Sequence, residues 1–269
     1  MLLDEKDSLG LSRGSFEPQE IELVKQQVNL GETVLDIGAN IGYYTLMFAK
    51  LVGEQGKVFA FEPEPNNFAL LKKNVEINGY SNVVLVQKAV SNQNGTTQLY
   101  LCEENQGMHR VYHSVFCNES LDIESLRLDD YFRGYNEKIS FIKIDIEGAE
   151  YAAIQGMQNL LRRNREVKIL TEFSPAASLE SGVDSKYYLN TLIDLGFNIY
   201  TVEKNIEPVD INELYAQLTI LKEIVSQLLK EIEAGYHETS IEYLASILTE
   251  RFQHHNYTRP LFENFFCIR

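Results

Sequence analysis

Two periodicities take turns along this chain. Short runs dense in Val, Ile and Phe predict buried strands, and stretches with apolar residues three or four apart predict amphipathic helices. The first helix is expected over Pro18–Val28, with Pro18 near its start and Gly31 just past its end. A strand follows at Thr33–Ile37, a helix at Tyr43–Leu51, a strand at Lys57–Phe61, and a helix that Pro65 opens and Asn78-Gly79 closes. Val83–Lys88 reads as the third strand. After an Asn94-Gly95 turn, the alternation in TTQLYLC marks an edge strand. Glu103–Ser120 has no rhythm and is expected as loop, with a short helix in ESLRLDDYF. ISFIKIDI, from Ile139, lacks a polar face until Asp145, as a strand covered on both sides does. The unit repeats with a helix over Gly148–Arg163, a strand over Val167–Phe173, a helix over Ser185–Leu195 stopped by Gly196, and the strands FNIYTV and FENFFCI. This alternation predicts a doubly wound α/β domain with a mostly parallel sheet.

Between the final two strands the rhythm changes. Ile211, Leu214, Leu218, Leu221, Val225, Leu228 and Ile232 alternate three and four apart, an a/d seam over about three heptads. Gly235 breaks it, and Ile241, Leu244, Leu248 and Phe252 resume helical spacing. The expectation is a helical hairpin over 205–258, inserted before the last strand into a domain formed by 1–204 and 259–269. Its seam has three uses open to it: packing back on the domain, joining a homodimer, or covering a substrate as a lid.

Composition narrows the classes. The chain has 269 residues, a size that suits one large domain, and 44% are hydrophobic, enough for a full core. With 39 acids against 24 bases the formal charge is -15, which disfavours nucleic acid or an anionic membrane surface as partner. Arg162, Arg163, Arg165 and Lys168 form one basic cluster, read here as complementing a helix end. MLLDEKDSLG lacks signal-peptide character and no apolar run approaches a membrane span, so a cytoplasmic location is expected. Cys102, Cys117 and Cys267 are widely spaced and odd in number, and they read as buried free thiols of a reducing compartment.

The chemistry concentrates in TVLDIGANIGYYT. A strand ending in Asp36, then Gly38 and Gly42 before a helix, leaves room for a ligand at the carboxyl end of a parallel sheet. Glu62 ends the next strand in VFAFEPEP, where a carboxylate offers two acceptor oxygens to a ribose diol. An adenosine-type cofactor follows. The dinucleotide fingerprint wants a glycine where Asn40 stands, so a cofactor without pyrophosphate suits the loop better, and S-adenosylmethionine is the foremost candidate. Two other readings stay open: an NAD(P)-dependent oxidoreductase, for which Tyr200 and Lys204 have the right spacing but lie in a strand, and a non-catalytic adenosine-binding scaffold.

VLDIGANIGYYT, VFAFEPEPNNFALLKKNV, AVSNQNG and FIKIDIEGAEYAAIQGM, in that order, resemble the FkbM-family methyltransferases over about Phe16–Val202 and again in the final strand. The resemblance implies a Rossmann-like, class I methyltransferase fold and an S-adenosylmethionine-dependent O-methyltransferase acting on a hydroxyl of a small molecule or glycan. Carried onto this chain, Asp36, Gly38, Ala39, Asn40 and Gly42, with Tyr44 and Thr45 in the helix that follows, would line the cofactor. Glu62 would grip its ribose beside Pro63, Ala89 and Val90 would flank adenine, and Asp145 would face the transferred methyl group. The proton of the acceptor needs a base at a strand end or on a loop above it. Asp145 is the best placed, then Glu147, Glu150 and Glu172, with His109 and His113 on a loop able to fold over the crevice. Asp145 could instead only cap the next helix, and Lys143 could simply pair with an acid. Asp145 and Glu172 end neighbouring strands, which would suit Mg²⁺ as in catechol-type methyltransferases, yet the ligand spacing demands no metal and none is expected.

Overall fold

A computed structural model describes residues 1–4, 7, 10–11, 16–102, 108–114, 117, 119–202, 205–236, 243, 246–248, 250–251 and 263–269. In chain order the elements are α1 (Pro18–Gln27), β1 (Thr33–Ile37), α2 (Tyr43–Val52), β2 (Lys57–Phe61), α3 (Pro65–Ile77), β3 (Val83–Val86), β4 (Ala89–Val90), β5 (Gly95–Leu101), β6 (Glu119–Leu126), α4 (Leu128–Tyr131), β7 (Ile139–Ile144), α5 (Glu150–Gln155), α6 (Gln158–Arg163), β8 (Lys168–Phe173), α7 (Pro175–Glu180), α8 (Ser185–Asp194), β9 (Asn198–Val202), β10 (Ile206–Pro208), α9 (Ile211–Glu233) and β11 (Glu263–Ile268). An eight-stranded sheet runs β10-β9-β11-β8-β7-β1-β2-β3, and β4-β6-β5 form a smaller one. The ladder from β8 through β7, β1 and β2 to β3 is parallel, whereas β11 is antiparallel to both β8 and β9. The strand order reverses beside β1, which makes the carboxyl end of β1 the switch point where such sheets bind ligands.

Strand alternation sorts the core into two faces. Leu35, Ile37, Ile142, Ile144 and Ile169 pack with the helices from α5 to α9. Val34, Val58, Phe141, Leu170 and Phe266 pack under Leu23 and Val24 of α1 and Phe48 of α2.

The seam of α9 faces its own domain. Leu214, Leu218, Leu221, Val225 and Leu228 are buried, and α9 lies against α7 and α8. Asp210 caps the helix by accepting from the N–H groups of Asn212 and Glu213. In the second arm Leu248 packs on the main core, while Ile241, Leu244 and Phe252 lie outside the described residues, as does Lys204.

Several elements differ from expectation for identifiable reasons. The helix expected over Gly148–Arg163 is two, α5 and α6, broken at Gly156. That glycine lies so close to Ser91 that a Cβ would sit 2.0 Å from its carbonyl oxygen, and its own carbonyl accepts from Asp129 N–H. The third strand stops at Val86, and Ala89–Val90 joins the smaller sheet instead. Glu119–Leu126, expected as loop and helix start, is a strand whose Leu121, Ile123 and Ser125 turn inward in alternation. Helix α7, opened by Pro175, was not foreseen at all.

The cysteine expectation is corrected. Cys102 and Cys117 are joined in a disulfide, and Cys267 alone is a buried free thiol. The chain doubles back between them through the Tyr100–Arg110 bridge, a proximity that sequence spacing does not encode. Cysteine usage therefore no longer argues for a reducing compartment. The basic cluster is spent locally: Arg163 donates to Phe132 O, Arg162 to Gln158 Oε1 and Lys168 to Gln27 O. Among the described residues no helix is long and apolar enough to cross a membrane.

Two substitutions check this packing. Leu221→Ala should cost about 2–5 kcal/mol, the range for emptying a buried leucine site, with a urea midpoint independent of protein concentration. A midpoint that rises with concentration would instead place the seam between two copies. Gly156→Ala should destabilise by about 1–3 kcal/mol in the same measurement, because the added carbon meets backbone.

Candidate active site

The loop after β1 is built by close approaches. Gly38, at φ 83°, lies so near the end of β7 that a Cβ there would stand 1.8 Å from Asp145 O, and one on Gly42 would stand 2.7 Å from Leu71 Cδ1. Gly38 is thus required by backbone, and Gly42 by its φ of 96°, beyond any room they leave for a ligand. Gly38 and Ala39 donate to Phe61 O, and Asp145 N–H donates to Ile37 O, which locks three strand ends together. Asn40 takes φ 48°, a left-handed conformation that asparagine tolerates better than most residues. Its N–H donates to Glu62 Oε2 at 2.9 Å, and Glu64 N–H donates to Glu62 Oε1 at 2.9 Å. The residue that departs from the dinucleotide fingerprint therefore positions the acid of the next strand.

Asp36 is fully buried in β1. Its Oδ2 accepts from Thr45 Oγ1 at 2.5 Å, whereas Oδ1 has no hydrogen-bond partner among the described residues. Burial pushes the Asp36 carboxyl up, with Lys143 opposing. Burial also pushes Glu62 up to about 7, against the pull of the Glu64 and Asn40 N–H groups. Tyr44 is buried and donates to Glu17 Oε2, and Pro63 is half-buried beside Glu62. Ala89 and Val90 are buried in β4, paired with Ser125 and Leu126.

At the ends of β7 and β8 the carboxylates converge. One oxygen each of Asp145, Glu147 and Glu172 lies within 4.8 Å of the others, a spacing and donor set suited either to a hard divalent cation or to a shared proton. Lys143 donates to Asp145 Oδ2 at 2.7 Å and stands 4.5 Å from the centre of the Tyr44 ring. Burial opposes the charge on Lys143, but Asp145, Glu17 and Asp36 together raise its pKa. Glu150 accepts from the N–H groups of Ile146 and Gly148, so Glu150 satisfies the turn before α5 and Asp145 does not cap it. Burial, reinforced by neighbouring carboxylates, raises Glu147 to about 8, Glu150 to about 7 and Glu172 well above the usual range.

Two residues that sequence reasoning did not single out close this group. Arg110 is buried, pairs with Glu180, donates to Ser114 Oγ at 3.0 Å and lies 3.9 Å from Glu147 Oε2. Tyr112 donates to Glu147 O at 3.0 Å. Both sit in the segment between the bonded cysteines, whose approach to β7 only the fold reveals. His109 Nδ1 accepts from Cys102 N–H at 3.1 Å, and burial lowers its pKa while Glu64, whose N–H holds Glu62, opposes. His113 stacks edge-on against Tyr100, 5.5 Å between ring centres.

Comparison with known proteins bears on the same residues. The chain is 28% identical over 155 residues to the methyltransferase sdnD of Sordaria araneosa, covering 46% of this chain and 60% of that one. It is 26% identical over 171 residues to the hexuronic acid methyltransferase AglP of Haloferax volcanii, covering 63% and 65%. Each match spans less than two thirds of the relative. The solved FkbM methyltransferase of Methylobacillus flagellatus KT superposes with a TM-score of 0.46 at 15% identity, over 70% of this chain and 49% of that one. The doubly wound sheet with its antiparallel β11 is a Rossmann-like arrangement. The Methyltransferase FkbM domain matches residues 36–199, from Asp36 through Glu62, Asp145 and Glu172, and with more than half its length so matched the chain belongs to the FkbM methyltransferase family.

Proposed function

We propose that this chain is an S-adenosylmethionine-dependent O-methyltransferase whose acceptor is a hydroxyl of a small molecule or glycan. The observation that carries the reading is the convergence of Asp145, Glu147 and Glu172 beside the loop that holds Asp36 and Glu62. A hexuronic acid methyltransferase among the relatives supports a sugar acceptor. The net charge of -15 weighs against nucleic acid.

Two features suit the cofactor. Asp36 Oδ1, buried and without a partner among the described residues, can accept from a ligand donor. Each Glu62 oxygen takes one N–H and keeps a second lone pair, enough for two neighbouring hydroxyls. Asp36, Gly38, Ala39, Asn40, Gly42, Glu62 and Pro63 would hold the cofactor, with Tyr44 and Thr45 behind the loop and Ala89 and Val90 on the adenine side. When bound, S-adenosylmethionine supplies a methyl group already activated by its sulfonium.

The chain has to align the acceptor oxygen and receive its proton. Alignment can contribute ~7–11 kcal/mol, and a positioned base a further ~10²–10⁴-fold. Glu147, raised to about 8, lies close enough to neutral pH to exchange a proton with the acceptor hydroxyl, and burial raises its neighbour Glu172 as well. Asp145, tied to Lys143, orients the acceptor, and Arg110 favours the ionised form of Glu147 that can take the proton. The insertion is read as part of the domain, since its seam is spent on α7 and α8.

Thermal melts with separate additions of S-adenosylmethionine, S-adenosylhomocysteine, NAD and NADP test the cofactor. At 100 times the dissociation constant a ligand adds about 2.7 kcal/mol, or roughly 5–10 °C for a chain of this size. The first two ligands should give that shift and the dinucleotides none; the reverse would favour an oxidoreductase. Asp36→Ala and Glu62→Ala should each abolish the shift. The raised carboxyls also set a pH dependence. Glu62 and Glu150 at about 7 and Glu147 at about 8 keep protons that the unfolded chain gives up near 4.5, so their stabilisation is lost as pH rises through 7 to 8. The ligand-free protein should therefore melt higher at pH 5.5 than at pH 8, and Glu147→Gln should narrow the difference. A melting temperature that is flat or rises over this interval would contradict the buried carboxyl assignment.

A further inference from the structure

One face of the sheet changes character at its carboxyl end. Below, Val34, Phe141, Leu170 and Phe266 pack against α1 and α2. Two residues further along the same face, strand alternation puts Asp36, Lys143, Glu172 and Asn264. Asp36 pairs with Lys143 in register, and Asn264 with Glu172. Helix α1 crosses above this polar row: Glu20 Oε1 accepts from Asn264 Nδ2 at 3.1 Å, and Glu17 Oε2 accepts from Tyr44 Oη at 2.5 Å.

Glu17 is placed there at a cost. It is the N-cap of α1 with φ 44°, a left-handed conformation few glutamates adopt, and its side chain does not cap its own helix. The carboxylate turns instead toward Tyr44, whose ring carries Lys143 on its face. Around the ammonium of Lys143 stand Asp36, Asp145 and Glu17, and Asp36 Oδ1 is fully buried without a partner among the described residues. Three carboxyl groups thus face one lysine, and burial pushes Glu17 and Asp36 up toward their neutral forms; a ligand bearing a second ammonium would favour their charged forms.

We infer that Glu17 is a cofactor-positioning residue, its carboxylate receiving the α-ammonium of the amino-acid end of S-adenosylmethionine across the Asp36–Lys143–Asp145 group. The inference rests on the cofactor reading above and adds the N-terminal helix to the site. It lies outside the 36–199 stretch that the family match covers.

Isothermal titration of wild type and Glu17→Gln with S-adenosylhomocysteine and with methylthioadenosine, which lacks the amino-acid end, tests it. Gln keeps the length of the side chain and an oxygen for Tyr44. The dissociation constant for S-adenosylhomocysteine should rise at least tenfold, and that for methylthioadenosine should stay within twofold. Equal losses for both ligands would mean that Glu17 only shapes the loop, and no loss for either would mean that it does not reach the ligand; each overturns the inference. A wild type that binds neither ligand would overturn the cofactor reading as well, so the two failures are distinguishable. Should Glu17→Gln fail to fold, Glu17→Asp must show the same selective loss, since it keeps the charge but withdraws it.

Discussion

The site depends on one close approach, that of Gly38 to the carbonyl of Asp145. No side chain fits between them, and the hydrogen bond from Asp145 N–H to Ile37 O holds the two strand ends in register. From that junction the loop can only run over β2, where Gly38 and Ala39 share Phe61 O and Asn40 reaches Glu62. Asp36, Glu62 and Asp145 are thereby set relative to one another by backbone contacts between three strand ends. Positioning of this kind is what methyl transfer asks of a protein, since the bond to be broken is already activated.

The same junction crowds carboxylates into a space with few cations. Asp36, Asp145, Glu147, Glu150 and Glu172 are answered by Lys143 and Arg110, and burial makes each uncompensated charge expensive. The chain resolves this by raising pKa values, so part of the group is protonated near neutrality. Backbone donors soften the cost where they can, as Ile146 and Gly148 do for Glu150. An arrangement that is poor for stability is well suited to taking up a proton.

Much of this was legible in the sequence, and the limits are instructive. The parallel strands announced themselves because a strand buried on both faces is apolar at every position, as VLDI and FIKI nearly are. Glu62 and Asp145 could be placed because they follow such strands directly. The strand Glu119–Leu126 was missed because its charged outer face mimics a helix start, and the break at Gly156 because the residue it touches, Ser91, is distant in sequence. Arg110 and Tyr112 were hidden for a related reason: their segment has no periodicity, and contacts distant in sequence, Tyr112 to Glu147 and Arg110 to Glu180, set it beside the end of β7. The seam of α9 was visible as a seam, but a heptad pattern says that a face is covered without saying by what.

Strand β11 has a bearing on how the molecule comes into being. It lies between β8 and β9, which precede it by the whole of α9 and the segment beyond, and it contributes Phe265, Phe266 and Cys267 to the interior. During synthesis β8 and β9 therefore emerge with a vacant lane between them, each presenting unpaired backbone groups and apolar side chains. The long amphipathic helix made in that interval can settle on α7 and α8 and shelter one side of the gap, but only β11 supplies its hydrogen bonds. The nascent chain thus spends its most adhesive moment with the left half of the sheet unzipped, and the order of the genetic message, rather than the stability of the finished fold, sets how long that moment lasts.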